Sequence, residues 1–120
     1  MTKAIIAFFK DNVYVGGVYY NSDGYPAYTG KKLLDFLQKE VIYNTVEELY
    51  GCYILDSNTE VTEINNHIND VKNMWANYVY LVNYDSKQKK IISVSVQSDE
   101  TEPEFTGTIL EYSAFIEQEE

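Results

Sequence analysis

Apolar positions along this 120-residue chain follow two rhythms, and the switches between them predict its elements. Ala4 to Phe9 and Val13 to Tyr20 are dense in β-branched and aromatic residues and flank the polar Lys10-Asp11-Asn12, so they read as two strands joined by a hairpin turn. Gly16-Gly17 removes two side chains from the second strand, which predicts a bulge or the close approach of another backbone. Asn21 to Gly30 reads as a loop. Leu33, Leu34, Leu37 and Val41 then share one helical face, predicting a helix from Lys31 to Val41.

Thr45 and Glu48 stand three apart, so hydroxyl and carboxylate can each satisfy an orphan N–H at the start of a short second helix, with Gly51 as its stop. The apolar continuation Cys52 to Leu55 ends in the turn-forming Asp56-Ser57-Asn58. Val61, Ile64, Ile68, Val71 and Trp75 recur at steps of three and four, which predicts an amphipathic helix. Tyr78 to Val82 and Ile91 to Val96 bracket a polar turn at Asp85 to Lys90 and predict a second hairpin. In its last strand Ile92, Val94 and Val96 alternate with Ser93 and Ser95, so one face should be wet. Ser98 to Gly107 reads as exposed loop. Thr108 and Glu111 repeat the capping pattern ahead of a terminal helix, docking through Leu110 with Phe115 or through Ile109 with Tyr112 and Ile116. The expected fold is α+β, with two antiparallel β-hairpins forming a small sheet packed with three to four short helices.

Length and a hydrophobic content of 45% suit one modest core, so residues 1–120 are expected to form one domain. No stretch approaches the roughly 18 apolar residues of a membrane span, and Ala4 to Phe9 is too brief for a signal peptide, which predicts a cytoplasmic protein. Cys52 is the single cysteine and His67 the single histidine, so neither a disulfide within the chain nor a Cys/His zinc cluster can form. No metal or cofactor is expected.

Charge changes the picture most. Nineteen acids face nine bases for a net of −10, and every base is a lysine. Without arginine, the planar fork that grips phosphate and guanine edges, an acidic chain is a poor direct binder of nucleic acid. A basic partner fits it better. Asp99, Glu100, Glu102, Glu104, Glu111, Glu117, Glu119 and Glu120 meet no lysine after Lys90, so the excess is concentrated at the C-terminal end. Such a segment reads as a solvated tail or as an electrostatic docking surface.

The densest local signal is Ser22-Asp23-Gly24-Tyr25-Pro26, followed by Thr29-Gly30-Lys31-Lys32. Asp23 can accept a backbone hydrogen bond, Gly24 can take positive φ and Pro26 forces Tyr25 extended, so the string encodes a rigid turn. A second reading makes Gly30, Lys31 and Lys32 an anion site at a helix start. It is not a P-loop, since five residues separate Gly24 from Gly30 and Lys32, not a hydroxyl, follows Lys31.

His67 stands four residues after Glu63 and three before Asp70 and reads as a surface or half-buried pairing; Cys52, in an apolar run, reads as an inert thiol. Neither has a recognisable catalytic companion. The twelve tyrosines are the other excess: sheet packing accounts for most, Tyr78 and Tyr80 share a strand face, and Tyr25 and Tyr28 fall in the loop. A rigid amphipathic ring beside carboxylates suits a lysine- and arginine-rich surface.

The string from Gly17 to Pro26, leading to Gly30 and Leu33-Leu34-Asp35-Phe36-Leu37, resembles small bacterial and phage proteins that carry a DGYP loop, and Trp75 to Val82 is a weaker echo. Members often place a histidine and an aromatic residue before that loop, where this chain has Asn21 and Ser22, so any role of that histidine is lost here. The resemblance implies a mobile-element origin. Small size and acidity are also similar in character to anti-CRISPR and related anti-defence inhibitors.

The expected function is therefore a non-enzymatic phage or prophage inhibitor, acting in the host cytoplasm on a basic host protein, a CRISPR effector nuclease such as Cas9. Asp99, Glu100, Glu102, Glu104, Glu117, Glu119, Glu120, Tyr25 and Tyr28 are its expected partner-binding residues. The alternative is a module that holds an anionic nucleotide or phosphate at Gly30, Lys31 and Lys32. A third class is a homo-oligomer, down to a homodimer, built through an open strand edge.

Overall fold

The computed structural model describes residues 2–20, 23–39, 43–56, 61–64, 76–98 and 103–119. Strands β1 (Ala4–Lys10) and β2 (Val13–Tyr20) pair antiparallel across the turn Asp11-Asn12, where both residues adopt left-handed φ (49° and 69°). Positive φ at both centres is what a two-residue hairpin loop demands, and Asp and Asn tolerate it best among residues with a side chain. A π-helical turn (Pro26–Gly30) runs straight into α1 (Lys31–Leu37), followed by α2 (Val46–Asp56), β3 (Val61–Ile64), β4 (Tyr78–Asp85), β5 (Lys90–Ser98), β6 (Pro103–Gly107) and α3 (Ile109–Glu119).

The architecture is α+β. Its six strands form one mixed sheet in the order β3-β2-β1-β4-β5-β6, in which every neighbouring pair is antiparallel except β1 and β4. The parallel pairing of β1 with β4 fuses the two halves through the most apolar strand, Ala4 to Phe8, which is fully buried on both faces. The sheet is thus larger and more mixed than the two-hairpin sheet expected.

One face packs on the helices. Ala4, Ile6, Phe8, Val18, Tyr80, Val82, Val94 and Val96 meet Leu33 and Leu34 of α1, Val46 and Leu49 of α2, and Tyr112 and Ile116 of α3 in one contiguous core. On the opposite face Ile5, Ala7 and Ala76 form a smaller cluster with Phe9, Tyr14, Tyr19, Val79 and Leu81 packed against it. Val61 to Ile64, expected to open a helix, is instead an edge strand beside β2; residues 65–75 of that expected helix, with His67 and Trp75, lie outside the described residues. Pro103 to Gly107, expected as loop, adds to β5 as the other edge, and Pro103 at the first position of an edge strand is where the missing N–H does least harm.

Helix α2 does not stop at Gly51; a Cβ there would meet nothing within 4 Å, so the residue lies on the open side of a helix held by Leu49, Tyr50 and Tyr53. Helix α1 ends at Leu37 with Gln38 as its cap, and Val41 lies outside the described residues. At α3 the expected box forms in full: Thr108 N donates to Glu111 Oε1 (2.9 Å) and Glu111 N to Thr108 Oγ1 (3.2 Å). The bond from Thr108 N, followed by the Thr108 side chain, holds the Glu111 carboxyl below its ordinary 4.5. The helix docks through Tyr112 and Ile116, while Leu110 is 82% exposed.

Register shifts occur in three strand pairs, β1–β2, β4–β5 and β5–β6, and the first two reset side-chain faces. In β2 the register steps between Phe8↔Gly16 and Phe9↔Tyr14, and the missing Gly16 side chain admits the Tyr50 ring, which a Cβ would meet at 2.6 Å. At Gly17 the close approach is backbone, since a Cβ would lie 2.9 Å from the Ile6 carbonyl oxygen. In β5 the register steps between Asn83↔Ser93 and Tyr84↔Ile91, so Ile92 is the extra residue. Ile91 therefore packs against the helix-covered core beside Tyr84, and Ile92 is left 44% exposed.

Candidate functional site

Tyrosine hydroxyls organise the loop that carries the Asp23-Gly24-Tyr25-Pro26 string. Tyr80, buried in β4, donates to the Gly24 carbonyl (2.8 Å), and Tyr112, buried in α3, donates to the Gly30 carbonyl (2.8 Å). Between these two anchors Thr29 Oγ1 donates to the Asp23 carbonyl (2.6 Å), and the Tyr25 carbonyl accepts from Tyr28 N (3.0 Å) and Thr29 N (3.1 Å). Tyr25 is extended (φ −70°, ψ 158°), as the following Pro26 requires. Positive φ falls on Asp23 (57°), not on Gly24 as expected. Gly24 is needed for a different reason: its N–H donates to the Thr2 carbonyl (2.8 Å), and a Cβ would lie 2.6 Å from Ala4 Cβ. The string is a turn clamped onto the sheet's first strand.

Rigid clamping leaves two rings outside. Tyr25 and Tyr28 are 41% and 42% exposed, their centroids 6.2 Å apart, and neither hydroxyl has a hydrogen-bond partner among the described residues. The ammonium of Lys32 lies 4.5 Å from the Tyr28 ring centre, an attraction between a cation and the ring's negative face. Two oriented aromatic side chains on a fixed turn lose little conformational freedom when a partner covers them.

The acids expected to bind a partner divide into three groups. Glu117 and Glu119 are exposed near the end of α3, whose last turn has no basic residue, and neither forms an ion pair among the described residues. Glu104 lies in edge strand β6. Asp99, Glu100, Glu102 and Glu120 lie outside the described residues. Ile116 brings α3 against the loop, since its Cδ1 would lie 2.9 Å from a Cβ on Gly30. Glu117, the next residue on α3, is exposed.

Gly30, Lys31 and Lys32 do not converge. The Gly30 carbonyl is taken by Tyr112, and Lys31 N donates to Tyr28 O because α1 continues the preceding turn instead of starting afresh. Lys31 Nζ pairs with Asp35 (3.7 Å) and Lys32 turns to Tyr28. Cys52 is partly buried against the main core. Among the described residues no group of three or more His, Cys, Asp or Glu side chains is arranged to hold a metal ion, and no helix is long and apolar enough to cross a membrane.

One concentration of chemistry was missed from sequence. Phe36, Tyr43 and Tyr84 wall a cavity of about 270 Å³ with Lys39, Lys89 and Lys90 among its lining residues. These residues come from three separate stretches of chain, and the lysine-rich turn at Asp85 to Lys90 was the only trace of it in the sequence.

Comparison with protein-family models, curated proteins and solved structures finds no match for this chain.

Proposed function

We propose that this protein is a non-enzymatic inhibitor of phage or prophage origin that acts in the host cytoplasm by covering a basic, nucleic-acid-binding surface of a defence nuclease, a CRISPR effector such as Cas9. What supports the reading is the exposed pair Tyr25 and Tyr28 on a rigid loop that packs on α3 at Gly30 and Ile116, together with Glu117 and Glu119 exposed near the end of that helix, whose last turn holds no base. Carboxylates at a helix C-terminus face the negative end of the helix dipole, so they are disfavoured in the free protein, and a cationic partner relieves that repulsion. In this role they stand in for phosphates, with the tyrosine rings supplying apolar contact to arginine stems. Asp99, Glu100, Glu102, Glu104 and Glu120 extend the same charge in the sequence.

The anion-binding reading has less support, because the Lys31 N–H donates to the Tyr28 carbonyl and its ammonium pairs with Asp35.

The test is affinity for a purified basic effector, measured against rising salt. Steering by opposite charge should weaken steeply past about 0.15 M, where the Debye length is about 8 Å. Glu117→Gln with Glu119→Gln should slow association, and Tyr25→Ser with Tyr28→Ser should speed dissociation. Unchanged affinity in both double variants rules out this surface.

A further inference from the structure

We infer that residues 65–75 run across the sheet face that carries Ile5 and Ala7 and cover it from within the chain. This face lies opposite α1, α2 and α3, and the described residues that pack on it come from strands and from Ala76 alone. Ile5 and Ala7 are nonetheless 0% exposed. Their neighbours in the plane of the sheet, Tyr19 and Val79 beside Ile5 and Leu81 beside Ala7, are only partly buried. Side chains in that plane cannot close the space above an isoleucine, so a further layer lies over the strands, centred on β1.

Connectivity identifies that layer. In the sheet β3 and β4 are separated by β2 and β1, so the chain leaving Ile64 has to pass both before it returns at Ala76. Ile64 is level with Gly17, Gly17 with Ala7 and Ala7 with Leu81, which stands five residues beyond Ala76. Three strand spacings of about 4.8 Å across and five residues of about 3.3 Å along put the two ends roughly 22 Å apart. The twelve links from Ile64 to Ala76 reach about 40 Å when fully extended. A path outside the helices on the other face would climb about 15 Å, cross and descend again, which exceeds that reach. Ala76 decides the side: the residue at which the chain returns is buried in the same cluster as Ile5 and Ala7. In the sequence Ile68, Val71 and Trp75 supply one apolar side at steps of three and four, with Asn66, Asn69, Asp70 and Asn73 on the other.

Nothing here depends on the surface around Tyr25 and Tyr28; a face covered in this way is closed to a partner and to a second copy. Nuclear Overhauser contacts between methyl groups of the full chain test it directly. The methyls of Ile68 and Val71 should contact those of Ile5 and Ala7. These contacts should vanish from the isotope-filtered spectrum of mixed labelled and unlabelled chains, which reports contacts between copies alone. Trp75, the single tryptophan, should emit at short wavelength and resist quenching by acrylamide. Ile68→Asp with Val71→Asp should move that emission to the red and raise the quenching. Contacts between copies, contacts of Ile5 and Ala7 with a different segment, or no contacts at all overturn the inference, as does a red, freely quenched Trp75 in the parent or an unchanged emission in the double variant.

Discussion

Tyr112 donates its hydroxyl hydrogen to the carbonyl of Gly30 at 2.8 Å, tying the C-terminal helix to a loop 82 residues earlier in the chain. Both groups are buried, and burial pushes the Tyr112 phenol well above its ordinary range, which favours the protonated, donating form. Tyr112→Phe keeps the ring and strands the Gly30 carbonyl. The expected loss is about 1–3 kcal/mol in chemical denaturation, the desolvation penalty of a buried acceptor without a partner.

Asp11 links the two hairpin turns: its carboxylate accepts from Ser86 N (3.1 Å) and from the Ser86 hydroxyl. These bonds, the side-chain one first, hold the Asp11 carboxyl below its ordinary 3.8. A depressed folded-state pKa means that the unfolded chain takes up the proton first, so the stabilisation is complete above 3.8 and is lost as the pH falls through the lower folded value. Asp11→Asn keeps a residue that tolerates left-handed φ but removes the titration. Stability measured from pH 6 down to pH 2 should therefore fall less steeply in the variant than in the parent.

Lys89 occupies a left-handed position in the turn between β4 and β5. Lys89→Gly removes the steric cost of that conformation and should raise stability by up to about 1 kcal/mol, read as a higher Tm.

Thr108 caps α3 and exchanges two hydrogen bonds with Glu111. Thr108→Ala should cost about 1 kcal/mol, and amide hydrogen exchange should rise first in Ile109 to Tyr112, where the orphan donors are.

Local signals were legible where residues carry their own geometry. The capping pair Thr108 and Glu111, the extended Tyr25 before Pro26 and the apolar face of Leu33, Leu34 and Leu37 all appear as read, because each depends on neighbours within a turn of chain. Val61 and Ile64 misled because a spacing of three suits a helical face as well as a four-residue strand, and only pairing with Gly17 to Tyr20 decides between them. Pro103 and its acidic neighbours concealed β6, since an edge strand accepts residues that a central strand rejects. The face of Ile92 was misassigned because a bulge inserts one residue and reverses every later parity, which no alternation rule can foresee. The aromatic cavity was illegible for a related reason: Phe36, Tyr43 and Tyr84 meet only after the sheet has brought β4 beside β1.

Strand β1 has its two neighbours supplied at very different moments of synthesis. β2 emerges from the ribosome immediately behind it, whereas β4, its parallel partner along Ala4 to Lys10, is not complete until Asp85 has been added. Until then the nascent chain holds one flank of its most apolar strand without hydrogen-bonded company, a state that invites capture by a chaperone or by another copy. Truncations ending before Tyr78 should accordingly aggregate, and the full chain should fold in one concerted step late in translation.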